Sequence, residues 1–347
     1  MKSIKTFISD IKVRSAQRSV RGMLKLLELK VLGSKASTRS YFPPSHVLLE
    51  LITKCNLRCQ WCRLSEKEYR EENSLQIDIT NVLQLLPELH GIKVLMLYGL
   101  GEPLLYPDLE RVIREAKRYI PCVCFTTNGT LLTEKRSKSL AEAGLSRIHV
   151  SIDSLDRDLV KRVTGGADID MIIKNIETFS KTTDLPVHLW AVVCNENIDC
   201  LHEIISLKKR IPSFNFMHFQ LANGATLLNK HGYTSDIPSH QMKEFKHMTR
   251  RLCDENNIAT DIGLLPDDPI PDPRFGICSA PWTGTVMINV NGFLTPCCVL
   301  RSYKMANVFE IGLKEAWNHK NMRDFRKNIL NGKYNQDCYN WCRYKSV

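Results

Sequence analysis

Six short apolar runs recur along the first two thirds of the chain, and each ends in polar residues that a packed core has no use for. They are "VLLELIT" (47–53), "VLMLYG" (94–99), "CVCFTTN" (122–128), "RIHVSID" (147–153), "VHLWAVVC" (187–194) and "FMHFQLA" (216–222), all rich in β-formers. Segments of helical character separate them at 78–89, 107–119, 133–143, 168–181 and 199–210. Alternating β and α units of this size predict a parallel sheet with helices outside it. Six units close only part of a circle, so a partial (β/α)6 barrel over 46–263 is expected rather than a complete eight-stranded one. In parallel barrels the C-terminal strand ends carry the active site. Here "TKC", "YGLGEP", "TTNGT", "SIDS" and "VVCNEN" would meet at one mouth.

The first of those ends runs into "ITKCNLRCQWCRLS" (52–65), which gathers Cys55, Cys59 and Cys62 within eight residues. A closed structural metal site wants four protein ligands, and a catalytic one keeps a position open. Three thiolates also suit an iron–sulfur cluster whose fourth iron stays accessible. The chain has thirteen cysteines and no secretory signal, so clustered thiols read as metal ligands rather than disulfides. Cys122, Cys124, Cys194, Cys200 and Cys253 lie in apolar or periodic contexts and are expected to fill core positions.

Beyond about 258 the texture changes. "LLPDDPIPDPRFG" (264–276) reads as a linker, and "GTVMINVNGFLTPCC" (284–298) as a hairpin with Asn291-Gly292 at its turn. A short helix near 312–330 then leads to "CYNWC" (338–342). The hairpin would bring Cys278 and Cys297 together, and Cys338 and Cys342 complete a set of four. Such a set could ligate an auxiliary cluster or form a zinc ribbon that staples the tail. Cys298 is an alternative to Cys297, which the spacing favours.

The Cys55-x3-Cys59-x2-Cys62 spacing, with Trp61 before the last cysteine, resembles the radical S-adenosylmethionine (radical SAM) superfamily. The resemblance covers roughly 46–225 in strand order and motif placement. It implies a partial TIM barrel and a [4Fe-4S] cluster whose open iron is chelated by the amino and carboxylate groups of SAM. Reductive cleavage of SAM to a 5′-deoxyadenosyl radical, and removal of hydrogen from a substrate C–H, follow from it. Gly101 and Glu102 resemble the family's GGEP segment near the SAM amino group, with Leu100 where the family usually has its first glycine. Asn128, Ser151 and Asp153 match positions that face the methionyl and ribose groups, and Asn195 a polar position after strand five. For Ser151, Asp153 and Asn195 a helix-cap role is the plain alternative. The later cysteines resemble a SPASM/twitch extension, in its shorter form with one auxiliary [4Fe-4S] cluster, in a small α+β domain over 264–347.

The net charge of +11 is uneven: residues 1–40 hold ten Lys/Arg against Asp10 and Glu28, leaving the rest nearly neutral. Apolar stripes at Ile4, Phe7, Ile8, Ile11 and at Val20, Met23, Leu24, Leu27, Val31 make residues 1–45 a basic helical arm. Such an arm either lies on an anionic membrane surface or caps the body. It lacks the aromatic platforms of single-strand binders, which argues against nucleic acid. No run of about 20 apolar residues predicts a membrane span. A cytoplasmic enzyme is expected, at the inner face of the membrane where the arm docks there, with SAM and an electron donor such as flavodoxin or ferredoxin as partners. The arm favours a lipid, a lipid-linked sugar or another small molecule as substrate, oxidised or rearranged. A peptide maturase is the alternative, and a non-catalytic zinc-binding interaction module the reading from outside the enzyme class.

Overall fold

The computed structural model describes residues 27–29, 31–41, 43–222, 237–265, 278, 280–297, 300–335 and 338. Most of the basic arm, nearly all of the 264–276 linker, Cys298 and Cys342 lie outside the described residues.

All six apolar runs form strands: β1 (His46–Leu49), β2 (Val94–Leu97), β3 (Cys122–Thr127), β4 (Arg147–Ser151), β5 (Val187–Val193) and β6 (Phe214–Leu221). A two-residue β7 (Ala259–Thr260) follows them. From β1 to β7 every neighbouring pair is parallel and in chain order, as right-handed β–α–β crossovers require. The C-terminal segment adds β8 (Thr285–Ile288), β9 (Phe293–Thr295) and β10 (Ala306–Asn307) to the other side. The sheet runs β10-β9-β8-β1-β2-β3-β4-β5-β6-β7, leaving β10 and β7 as edges. This is the partial barrel expected, with the hairpin joined in parallel to β1 through β8. Gly292, at φ 81, makes that hairpin turn, a conformation an L side chain resists.

Helices fill the predicted intervals at Ile79–Leu85, Leu109–Ala116, Glu134–Glu142 and Ile169–Thr183, and the interval near 199–210 is a 3-10 helix, Leu201–Lys209. Four further α-helices, Lys67–Glu72, Arg157–Thr164, Ser239–Glu255 and Ala280–Thr283, were not among those expected. The single helix expected near 312–330 is two, Val308–Trp317 and Lys320–Leu330, with His319 capping the second through the Asn321 N–H.

Strand residues alternate between two environments. Ile148, Val150, Leu189, Ala191, Met217 and Phe219 join the main core under the helices. Each fully buried residue of this kind contributes about 1.5–3 kcal/mol, so this face alone anchors the sheet. The opposite, concave face is free to be polar. It carries Arg147, His149, His188, Trp190, Phe216 and His218. Their rings pack across the strands: His149 stacks on His188 at 5.0 Å and on Trp190 at 4.8 Å, and Trp190 meets His218 tilted, at 4.4 Å between centroids.

Of the arm's stripe, Leu27 and Val31 are exposed at 58% and 71%. The residue that anchors this end is Leu29, which lies off the stripe and packs with Ala36, Trp282, Ile329 and Leu330. Buried Arg326 ties the same region together by donating to the Pro281 and Thr38 carbonyls at 2.8 and 3.1 Å, its guanidinium over the Trp317 ring. No helix among the described residues is long and apolar enough to cross a membrane.

Candidate functional site

The loop after β1 holds Cys55, Cys59 and Cys62 as free, half-buried thiols. Within it the Cys62 N–H donates to the Cys59 carbonyl at 2.8 Å, and neighbouring elements pin the rest. The Glu102 N–H donates to the Lys54 carbonyl at 2.8 Å. Arg58 and Gln60 donate their N–H groups to the Thr164 and Val163 carbonyls at 3.0 and 2.8 Å. The Arg157–Thr164 helix, capped by Asp156 at one end and by Gly165 in the left-handed region at the other, thus fixes the middle of the cysteine loop. The Arg70 guanidinium donates to the Leu64 carbonyl at 2.8 Å and also bonds the Leu57 carbonyl.

Glycines let the β2 end press onto this loop. A Cβ on Gly101 would lie 2.3 Å from the Ile52 carbonyl oxygen and 2.7 Å from that of Lys54. One on Gly99 would lie 2.4 Å from Glu50 Cγ. The intervening Leu100 is tolerated because both close approaches fall at its neighbours, while its own N–H bonds Glu50 Oε1 at 2.8 Å. Gly101→Ala must push two backbone carbonyls of the cysteine loop aside. It is expected to cut iron incorporation at the first cluster at least about tenfold, or about 1.4 kcal/mol, within the roughly 1–3 kcal/mol of ordinary overpacking. Iron and sulfide analysis of the purified variant checks this.

Glu102 is the hub of the strand ends. It is 2% exposed, and its Oε1 accepts from the Leu104 N–H at 3.0 Å and from Thr127 Oγ1 at 2.7 Å. Its Oε2 accepts from the Asn128 N–H at 2.8 Å. Burial pushes its pKa up, against those three donors. Asn128, so placed, donates through Nδ2 to Asn56 Oδ1 at 3.0 Å and stands 3.9 Å from Cys55 Sγ. Three of the motifs therefore meet, at Cys55, Glu102 and Asn128. Asp153 accepts from the Val192 N–H at 2.8 Å, and burial pushes its carboxyl up to about 7. Trp61 packs with Val163, Cys194 and Ala222, and Ser151 and Asn195 are exposed at the ends of β4 and β5.

The sequence reading missed Asn197. It is 2% exposed and donates to the Asp153 and Val192 carbonyls at 2.9 and 2.7 Å, so it joins the β4 and β5 ends. Its signal was the second Asn of "CNEN", indistinguishable by sequence from the exposed Asn195. The concave-face histidines were also missed; period-2 alternation places them on one face, but only closure shows which face encloses space.

The three thiols share a hostile environment. Burial raises Cys55 to about 11, with the nearby Glu102 and Cys62 adding to the shift. Cys59 stands well above the usual thiol range through burial, then through Cys62, Asp153 and Cys55. Cys62 is raised by burial, partly offset by the Leu64 amide and by Arg301 and Arg70. Among the described residues no three His, Cys, Asp or Glu side chains close around a single ion. Three thiols in one loop, near enough for Cys55 and Cys62 to act on Cys59, fit three corners of an iron–sulfur cluster with its fourth open, where closed zinc sites take four protein ligands.

Since the folded pKa values are raised, the protonated thiols stabilise the metal-free fold below the unfolded value, and that stability is lost as pH rises toward about 11 for Cys55. Binding iron reverses the preference and expels these protons. Loading under anaerobic conditions is expected to strengthen from pH 7 to pH 8.5, and the C55S variant to show a shallower slope, by iron uptake followed optically.

Cys278 packs on the Leu29–Trp282 cluster with Tyr334, whose hydroxyl accepts from the Cys278 N–H at 3.3 Å. Cys297 follows β9, and its carbonyl accepts from Thr295 Oγ1 at 3.0 Å; Cys338 lies beyond the Lys320–Leu330 helix. Of the cysteines expected in the core, Cys124, Cys194 and Cys253 are buried, while Cys122 and Cys200 are half-buried.

Comparison with known proteins bears on this arrangement. Residues 49–207 match the radical SAM superfamily, and residues 278–344 match an iron–sulfur cluster-binding domain, SPASM. A probable GTP 3′,8-cyclase of Methanococcus aeolicus is 30% identical over 269 residues, 75% of this chain and 87% of the relative. A probable GTP 3′,8-cyclase of Pyrococcus abyssi is 35% identical over 151 residues, which is 44% of this chain and 48% of that relative. Against the latter the match thus spans about half of its length. Among solved structures, SuiB of Streptococcus suis bound to precursor peptide SuiA superposes with a TM-score of 0.67 at 16% identity, over 92% of this chain and 73% of SuiB, a likeness of fold. The cysteine loop, the strand-end motifs and these matches together show that the chain belongs to the radical SAM superfamily and carries an iron–sulfur cluster-binding domain of SPASM type at its C-terminal end.

Proposed function

We propose that the enzyme removes hydrogen from a C–H of a small polar molecule held in the barrel lumen, beneath a SAM-binding [4Fe-4S] cluster ligated by Cys55, Cys59 and Cys62. The observation that carries this reading is the joining of Glu102, Asn128 and Cys55 at one mouth, over a concave face lined with imidazoles and an indole. When bound, the cluster and SAM supply one-electron cleavage and hydrogen-atom abstraction, which no side chain supplies. The polypeptide supplies position. Glu102 locks the β2 and β3 ends, Asp153 and Asn197 lock those of β4 and β5, and the stacked His149, His188 and Trp190 keep water from the floor. Gly101, Ser151, Asp153, Asn195 and Trp61 are proposed to surround SAM, and Cys278, Cys297, Cys338 and Cys342 to hold one auxiliary [4Fe-4S] cluster.

A lumen of His46, Arg147, His149, His188 and His218 suits a polar substrate better than an acyl chain. The names of the relatives make GTP the first compound to try. A peptide substrate rests on a fold likeness alone. The test is formation of 5′-deoxyadenosine by the reconstituted, reduced full chain, with GTP, with a low-molecular-weight cell extract, and with the macromolecular fraction. Stimulation of about tenfold or more by GTP or the small-molecule fraction is expected; stimulation by the macromolecular fraction alone contradicts the reading.

A further inference from the structure

Four described imidazoles face the lumen, and one differs from the rest. His46 is held down to about 4 by burial and by the charges of Arg147 and Lys93, and it pairs with Ser45 Oγ at 2.8 Å. His149 accepts from Arg147 Nε through its Nε2 at 3.0 Å, and its Nδ1 is sealed from solvent without a partner. His188 is held down to about 3 by burial, Arg147 and His218. Among the described residues none of the three faces a carboxylate.

His218 does. On β6 it lies between Met217 and Phe219, which face the helices, so its ring turns to the lumen and packs against the Trp190 indole. Its Nδ1 bonds Asp261 Oδ2 directly. The other oxygen, Asp261 Oδ1, accepts from the Phe219 N–H at 3.2 Å, so the carboxylate is itself held in place. With Asp261 accepting at Nδ1, the ring proton is assigned there and Nε2 presents its lone pair. Among the described residues Nε2 has no hydrogen-bond partner and, unlike His149 Nδ1 and Trp190 Nε1, it is not sealed. A ring oriented by a carboxylate, with its second nitrogen open to an enclosed space, is the arrangement of a general base.

The geometry points to His218 as the proton acceptor for the substrate in the lumen, with Asp261 as its positioning residue. This rests on the reading that the lumen holds the substrate. In the step, an O–H or N–H bond of the substrate breaks, its electron pair stays on the substrate atom, and the proton forms a bond to Nε2. Asp261 faces the imidazolium so formed. The ligand class is therefore a small molecule with an ionisable hydroxyl or ring N–H beside the reacting carbon. Among the described residues, His149, His188, Arg147 and, on the far side of Trp190, Tyr98 are the other charged or titratable groups that face this ring or its neighbours.

Two measurements decide it. Diethyl pyrocarbonate labelling of the reconstituted full chain, mapped by mass spectrometry, is expected to modify His218 and spare His149, with exposed His90 as the reactive control. Resistance of His218 while His90 reacts overturns the assignment without any substrate. The second compares turnover with GTP and with the small-molecule extract. H218A is expected to lose about 100-fold or more of product formation and to recover part of its activity with added imidazole. D261N should lose less and gain nothing from imidazole. An H218A variant that makes product at the wild-type rate, or that imidazole does not rescue, overturns the role. If wild-type chain responds to neither probe, the substrate reading fails, and the labelling result still decides whether His218 opens onto the lumen.

Discussion

Replacing Cys59 with alanine is expected to abolish reductive cleavage of SAM while leaving the rest of the barrel folded. Two thiolates cannot hold a cluster at three corners, and the lost ligand is the one deepest in its loop. Its neighbours gain nothing in compensation, since Cys55 and Cys62 are themselves raised by burial and revert to neutral thiols without iron. Total iron should fall from about eight to about four per chain, the remainder in the auxiliary cluster. Because the loop is pinned through the Lys54, Val163 and Thr164 carbonyls rather than through Cys59, circular dichroism should change little. Iron and sulfide content, with chromatographic assay of 5′-deoxyadenosine, measures the effect. Retained cleavage in this variant would falsify the ligand assignment.

The second large effect is expected at Glu102. Alanine there strands three buried donors, the N–H groups of Leu104 and Asn128 and the Thr127 hydroxyl. Each unsatisfied donor costs about 1–3 kcal/mol, which puts the total near 3–5 kcal/mol after relaxation. The change also frees Asn128 from its place beside Cys55. Stability and cofactor binding should therefore fail together: a urea midpoint well below wild type, and SAM affinity reduced at least about 100-fold. Gln keeps one oxygen but turns an amide NH2 toward N–H donors, so it should sit between alanine and the parent. A variant that loses SAM binding with an unchanged midpoint would show that Glu102 touches the ligand without organising the strand ends.

How much of this was legible beforehand depended on how local each signal is. Short apolar runs rich in β-formers, with helical stretches between them, gave all six strands, because composition and spacing are properties of neighbours in sequence. Asn291-Gly292 marked the hairpin for the same reason, Gly292 being required at positive φ. The cysteine spacing was legible as chemistry. Contacts made by tertiary closure were not. Nothing in "TGGA" (164–167) announced that the helix before it carries the cysteine loop. Leu100 looked like a departure until the close approaches proved to lie at Gly99 and Gly101. His218 and Asp261 are separated by 43 residues, and only the pairing of β6 with β7 brings them together. In the described part of the arm, Leu27 and Val31 of the stripe are exposed and Leu29, off it, is buried, a choice that tertiary packing makes and the helical period does not.

Low-temperature electron paramagnetic resonance of the reduced full chain, with and without SAM, bears most directly on the central claim that a cluster at Cys55, Cys59 and Cys62 offers an uncapped iron to SAM. The expected spectrum contains a [4Fe-4S] signal that SAM shifts and that disappears in C59A, beside a second signal that SAM leaves unchanged. A spectrum in which SAM alters no signal, or in which the SAM-sensitive signal survives the loss of Cys59, would contradict it.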